Sequence, residues 1–233
     1  PTWSATLERI AQAVVAIELG VLRAYLVYCG RWILVDTGMP GSDGRIAQAA
    51  ARAGVEPERD LALIVLTHGH TDHMGSALAL RDRWRVPIAM HRRDAAPAQE
   101  GVDPPLRPTG AFGRVVALAG RVGARRPAPA FEADLLLDDE IDLCCMGVEA
   151  HVLPTPGHTP GSVTVLTSEG DALIGDLVIG HAFRRGCPRL PYVADDVDSV
   201  RRSVRELLAR SPRSVHSAHG HPFTVEDLRR WSG

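Results

Sequence analysis

Residues 61–76 read LALIVLTHGHTDHMGS. The first six, LALIVL, form an unbroken apolar run, as expected of a strand covered on both faces. His68, His70, Asp72 and His73 follow at once. Alternate residues of an extended chain point the same way, so His68 and His70 share one side. A turn at Thr71 and Asp72 then brings Asp72 and His73 in from another direction. Neutral imidazoles with a carboxylate to add charge are the donors that first-row metal ions favour. Four such donors within six residues, approaching from two sides, suit two neighbouring ions better than one. Gly69 and Gly75 permit tight backbone at both ends.

Working outward, residues 13–19, 23–28 and 32–36 are β-branched or aliphatic runs separated by Gly20 and Gly30, which predicts a meander. A glycine-rich turn over 38–44 precedes a helix near 45–53. After the histidine stretch the pattern predicts a helix over 76–83 and a strand over 86–90. Residues 92–131 differ: they hold six of the 17 prolines and show no clear period. They read as a loop-rich insertion with one helix near 114–122, placed to act as a lid or substrate wall. Strand signals return at 135–137, 147–153, 162–167 and 172–174. A helix follows, with Asp198 or Ser199 as its cap and Val200, Val204, Leu207 and Leu208 on its apolar face. A short strand at 215–217 and a capping signal at Thr224 and Asp227 complete the chain. Strands precede a helix twice, so two sheets in one core with helices outside is the expected layering, in a single domain spanning 1–233.

Composition removes several alternatives. All 26 basic residues are arginine, and there is neither lysine nor asparagine in the 233 residues. Schiff-base lysine chemistry, an ordinary P-loop and N-glycosylation are therefore excluded, as is an asparagine oxyanion donor. A net charge of −2 argues against a dedicated nucleic-acid binder. No apolar run reaches membrane-span length. Residues 1–5 lack a signal pattern, so a cytoplasmic location is expected, with a removed leader left open by the Pro1 start. Cys29, Cys144, Cys145 and Cys187 show no CxxC spacing and read as buried reduced thiols. The expected partner is a small-molecule substrate, with no nucleic acid and no membrane. Oligomeric state is not legible.

Other candidate donors stand at strand ends. PTPGHTPGS (residues 154–162) presents His158 on a loop shaped by proline and glycine. Asp176 follows Gly175. In HSAHGH (residues 216–221) His219 is the favoured donor and His221 the alternative. Asp36, in LVDTG (residues 34–38), reads as a carboxylate that orients a ligand histidine from behind. His91 and His151 read as structural, and His216 as a strand-end residue.

Taken in order, Asp36-Thr-Gly38, THGHTDH, PTPGHTPGS, Gly175-Asp176 and AHGH (residues 218–221) resemble the five motifs of the metallo-β-lactamase superfamily over nearly the whole chain. The resemblance implies an α+β fold, a four-layer αββα sandwich of two similar halves. It also implies a dinuclear site: one ion on His68, His70 and His158, the other on Asp72, His73 and His219, with Asp176 between them. The ions would be divalent, zinc first, with iron or manganese compatible. A hydroxide bridging such a pair would attack an ester, thioester or lactone carbonyl, with Asp72 and Asp176 as the catalytic carboxylates.

Departures from familiar members narrow this expectation. The di-zinc β-lactamases with a cysteine ligand carry it where Asp176 stands. Lactonases similar to this pattern carry Tyr three residues beyond the bridging Asp, where this chain has Ile179. The lysine and asparagine of other members are missing, so β-lactam hydrolysis is a minor expectation. The alternative of another class is an oxidoreductase similar to the mononuclear-iron persulfide dioxygenases. A phosphodiesterase would need a phosphate-binding arm, for which Arg125, Arg126, Arg184, Arg185 and Arg189 are the available residues. Substrate contacts are expected from the insertion and from His181, Phe183, Arg184, Arg185 and Tyr192.

Overall fold

The structure is a computed structural model in which residues 14–103, 106–122 and 128–233 are described. The 1–5 segment, Ala13 and the pair Arg125 and Arg126 lie outside the described residues.

Strands β1 (Val14–Glu18), β2 (Arg23–Cys29) and β3 (Arg31–Val35) form the expected antiparallel meander. Gly30 makes the β2–β3 turn at a φ of +79°, and a Cβ there would meet the Gly147 carbonyl at 2.7 Å. Both conformation and space therefore demand glycine. Helix α1 (Asp43–Arg52) and the single turn α2 (Pro57–Asp60) carry the chain back, so β4 (Leu61–Val65) lies parallel to β3. The turn α3 (Thr71–Met74) and helix α4 (Ala77–Trp84) lead to β5 (Ile88–His91). Helices α5 (Ala95–Glu100) and α6 (Ala111–Val122) precede β6 (Leu135–Leu137), and the six strands follow one another across the first sheet.

The second sheet has five strands. β7 (Ile141–Asp142), β8 (Ala150–Pro154), β9 (Val163–Thr167) and β10 (Asp171–Gly175) pair antiparallel in succession. A small hairpin of β11 (Ile179–Gly180) and β12 (Pro188–Arg189) comes next. Helix α7 (Val197–Ala209) returns the chain to β13 (Ser214–Ser217), parallel to β10, and α8 (Val225–Ser232) ends it.

Three apolar layers join these elements. Leu26, Leu34 and Ile64 face Ile46 of α1 with Leu80 and Trp84 of α4. Val27, Val35 and Val65 face the other way, against Val152, Val163 and Val165 of the second sheet. Behind that sheet, Ala172 and Ile174 meet Val200, Val204 and Leu207 of α7 and Leu228 of α8. The result is helix, sheet, sheet, helix: the two sheets with outer helices expected from the strand pattern, and the αββα sandwich that the resemblance implies. Each fully buried aliphatic side chain contributes roughly 1.5–3 kcal/mol.

Several local expectations need correction. The 92–131 segment is more helical than its prolines imply, carrying a 3-10 turn (Arg92–Asp94) besides α5 and α6. Pro97 sits in the first turn of α5, where a missing N–H costs nothing. Helix α6 starts at Ala111 rather than 114. Gly113, inside this helix, backs against the Tyr192 carbonyl, where a Cβ would come to 2.1 Å. The cap of α7 is Asp196, which accepts from the amides of Asp198 and Ser199. β8 begins at Ala150, not 147, because a 3-10 turn (Cys144–Met146) ends at Gly147 with a φ of +73°. Cys29 alone of the four cysteines is buried, and burial pushes its thiol up to about 12. The Thr224 and Asp227 capping box forms as read.

Candidate metal centre

Asp36 ends β3 at a φ of +62°, an uncommon conformation for a residue with a side chain. Its buried carboxylate accepts from the Thr67 amide at 2.8 Å and from the Thr67 hydroxyl at 2.9 Å. His73 Nδ1 donates to the same carboxylate at 2.8 Å. That bond fixes the tautomer and aims Nε2 at the cluster, the orienting role expected of Asp36. His73 Nε2 is buried with no hydrogen-bond partner, and so is Asp176 Oδ1, 3.6 Å away.

His68, His70 and His158 close a second group. His158 Nδ1 donates to the Val193 carbonyl at 2.8 Å, which leaves Nε2 with a bare lone pair. The one proton of the Thr67 hydroxyl goes to Asp36, so His68 Nδ1 donates to that oxygen at 3.0 Å. His68 Nε2 is then bare as well. The two bare nitrogens lie 3.1 Å apart and stand 3.0 and 2.9 Å from His70 Nδ1. Two facing lone pairs cannot hydrogen-bond. Three nitrogens around one tetrahedral zinc at 2.0–2.1 Å would be separated by about 3.3 Å. The triangle and the partnerless His73 and Asp176 atoms fit cations.

His219 Nε2 lies 3.4 Å from Asp72 Oδ2 and 3.5 Å from Asp176 Oδ2, with Nδ1 donating to the Val21 carbonyl at 3.1 Å. Donor atoms of Asp72, His73 and His219 fall within 4.8 Å of one another, as do those of His68, His73 and Asp176. Asp176 Oδ2 is also 3.8 Å from His158. All seven expected donors meet at one edge of the sandwich, and His219 rather than His221 takes part. His221 stands on the wall of the adjoining cleft.

The two groups differ electrically. Burial pushes His68 well below the usual histidine range, lowers His70, and brings His158 to about 3, so all three are neutral. Burial also opposes charge on His73, but Asp36, Asp176 and Asp72 outweigh it and lift this imidazole to about 10. His219 is raised against burial by Asp176 and Asp72. Burial opposes the ionised carboxylates too. His219 and His73 nevertheless hold Asp72 well below the carboxylate range and Asp176 below it.

A cleft of about 570 Å³ opens over the cluster. Val21, Leu106, Phe112, Ile179, Tyr192 and Val193 wall it, and His70, Asp72, His158, Asp176 and His219 reach its floor. Of the expected substrate residues, Tyr192 lines this cleft. His181 lines a neighbouring pocket, Phe183 is 89% exposed, and Arg184 and Arg185 are exposed between β11 and β12. His91 bonds Asp138 and Arg93, and His216 bonds Ser214, away from the cluster.

Two residues that the sequence does not flag shape the site. Asp94, 2% exposed, accepts from the Gly69 amide, the Thr159 hydroxyl and the Gly161 amide at 2.6–2.8 Å. It thus clamps the loop of His68 and His70 to that of His158. Arg23 pairs with Glu18 at 2.9 Å and donates to the carbonyls of Ser217 and Gly220, bracing the His219 loop. No local pattern marks either, because the loops they hold are remote in the chain.

Clustered histidines and aspartates at one edge of an αββα sandwich, beneath a cleft, make a candidate metal centre. Residues 20–219 match the family described as the metallo-beta-lactamase superfamily, and the chain belongs to it. At that general level it is a metallo-hydrolase. It is similar to the probable metallo-hydrolase YflN of Bacillus subtilis, with 28% identity over 85% of this chain and 78% of that protein. It is 31% identical to a hydroxyacylglutathione hydrolase of Anaeromyxobacter dehalogenans over 84% of this chain, but spans 58% of that enzyme's length. The solved structure of TTHA1623 in a di-iron-bound form superposes with a TM-score of 0.66 at 26% identity, covering 94% of this chain and 97% of that one. Among the described residues no helix is long and apolar enough to cross a membrane.

Proposed function

We propose that the chain is a dinuclear metal-dependent hydrolase acting on ester, thioester or lactone carbonyls of substrates with an apolar portion. The observation that carries this reading is the pair of partnerless buried donors, His73 Nε2 and Asp176 Oδ1, beneath an apolar-walled cleft. His68, His70 and His158 would hold one ion, Asp72, His73 and His219 the other, and Asp176 would touch both. Two divalent ions, zinc first with iron or manganese compatible, supply Lewis acidity and lower the pKa of water.

The remaining work falls to the chain. Val21, Leu106, Phe112, Ile179 and Tyr192 hold the apolar part of the substrate and keep bulk water from it. Asp72, kept ionised by His219 and His73, can carry a proton toward the leaving atom. The acyl C–O or C–S bond breaks, the oxygen of water ends on the carbonyl carbon, and a proton of water ends on the leaving oxygen or sulfur. The similarity to a hydroxyacylglutathione hydrolase supports thioesters within this set. The full complement of donors for two ions speaks against a single-iron dioxygenase.

The test is a panel of hexanoyl thioesters, lactones, p-nitrophenyl esters, β-lactams and phosphodiesters on chelated and metal-reloaded protein with its metal content measured. Ester, thioester or lactone turnover that vanishes on chelation and returns with two ions per chain is expected. Turnover indifferent to chelation, or a preference for phosphodiesters, sinks the reading. One iron per chain with oxygen uptake on a persulfide favours the dioxygenase.

A further inference from the structure

A second pocket, of about 340 Å³, adjoins the metal cleft. Phe112 and Tyr192 line both, with ring centroids 4.9 Å apart, so one aromatic pair forms the partition. Arg189 of β12, Arg201 of α7 and His181 contribute to its walls, and no carboxylate does. Each guanidinium lies against an aromatic ring: Arg189 is 4.4 Å from the Tyr192 centroid and Arg201 5.6 Å from that of Trp231. Among the described residues neither arginine is ion-paired, and the buried Nε of Arg189 meets no acceptor.

Helix α6 directs its N-terminus at the same space, for Gly110, Ala111, Phe112 and Gly113 all line it. The first amides of a helix have no partner within it. Gly110 has no side chain to cap them, and the Thr109 hydroxyl turns its proton to the Pro191 carbonyl at 2.5 Å. Two guanidinia without a carboxylate partner and the first amides of a helix thus border one volume. Nothing negative in its walls balances them.

We propose that this pocket binds an oxyanion, a phosphate or a carboxylate, carried at one end of an amphipathic substrate whose apolar part lies in the metal cleft. That the anion belongs to a substrate rests on the hydrolase reading above; the pocket's preference for oxyanions does not. Anion recognition then falls to Arg189 and Arg201, not to Arg184 and Arg185 at the exposed end of the β11–β12 hairpin.

The test titrates hexyl phosphate, hexanoate and inorganic phosphate into metal-loaded protein by calorimetry. Hexyl phosphate is expected to bind more tightly than inorganic phosphate, because its alkyl chain crosses the Phe112–Tyr192 partition. It is also expected to compete with turnover of a neutral hexanoyl ester. Arg201 is exposed on α7, so its variants keep the fold. Arg201→Glu is expected to weaken both phosphates at least tenfold, and Arg201→Lys to recover part of the loss. The tighter of hexyl phosphate and hexanoate names the oxyanion. No binding of hexyl phosphate, or binding that Arg201→Glu leaves unmoved because the anion sits on the metal ions, overturns the proposal. If no ester, thioester or lactone is turned over while hexyl phosphate still binds through Arg201, the hydrolase reading falls and the oxyanion site stands.

Discussion

His73 Nδ1 donates to Asp36 Oδ2 across 2.8 Å, and both side chains are almost wholly buried. One carboxylate at the end of β3 therefore decides which nitrogen of His73 faces the cluster. Asp36→Asn keeps a side chain that tolerates positive φ but removes the charge that lifts His73. Affinity for the ion that Asp72, His73 and His219 would hold is expected to fall by about 10–100-fold. The ion that His68, His70 and His158 would hold is expected to be retained. Competition with a graded series of chelators, read as metal per chain, checks this; equal loss of both ions refutes it.

Loading the protein with metal at neutral pH should release protons. His73, lifted to about 10, carries a proton in the metal-free chain that a metal must displace. A weakly buffered titration at pH 7 is expected to show at least one proton released per chain, and metal affinity should fall as the pH is lowered.

The metal-free fold should be most stable near the unfolded histidine pKa of about 6.5. The raised pKa of His73 contributes stability that is complete below that value and lost as pH climbs toward about 10. The depressed pKa of His158 acts on the other side: below about 6.5 the unfolded chain takes a proton that the folded chain refuses until about 3. Melting temperatures of chelated protein across pH 4–10 should pass through a maximum, and a monotonic rise would contradict this assignment.

Asp94 clamps two loops without touching the donor atoms. Asp94→Ala strands the amides of Gly69 and Gly161 and the Thr159 hydroxyl, each at about 1–3 kcal/mol if left unsatisfied. A clear drop in melting temperature is expected, with weaker binding at the His68, His70 and His158 group. Asp94→Asn, which keeps one acceptor oxygen, should lose less on both counts. Metal affinity that is unchanged in Asp94→Ala would show that the clamp does not set the triangle.

The cleft walls should make turnover depend on chain length. Burying a methylene contributes about 0.8 kcal/mol, a rise in kcat/KM of at most about fourfold per carbon from acetyl to hexanoyl esters. Phe112→Ala, which removes part of that wall, should flatten the series mainly through KM. A series already flat in the parent protein would place the apolar part of the substrate elsewhere.

How much of this was legible in the sequence depended on how local the cause was. His68, His70, Asp72 and His73 declare themselves because one strand end and one turn bring them together. His158 and Asp176 could be read from their places after strands, although their meeting with the first group depends on two sheets packing face to face. The choice between His219 and His221 depended on how the β13 loop is braced by Arg23 and the Val21 carbonyl, contacts nearly 200 residues apart in the chain. Shorter but still non-local contacts, 25 to 67 residues apart, hid Asp94. Arg184 and Arg185 stand out in the sequence because they closely follow Asp176. The register of the β11–β12 hairpin instead pairs Arg189, which lines the second pocket, with Ile179 and leaves the two adjacent arginines exposed.

The four donors His68, His70, Asp72 and His73 follow β4 in one sheet, while His158, Asp176 and His219 follow strands of the other. Each ion would therefore be gripped by both halves of the molecule at once. A chain whose halves have not docked offers each ion only part of its grip, so tight metal uptake would mark the completion of folding rather than its beginning. At a thousandfold excess over Kd a bound ion adds about 4 kcal/mol to the docked state. Starving the protein of metal should then loosen the seam between the halves before it loosens either sheet, a sequence that hydrogen exchange can follow residue by residue.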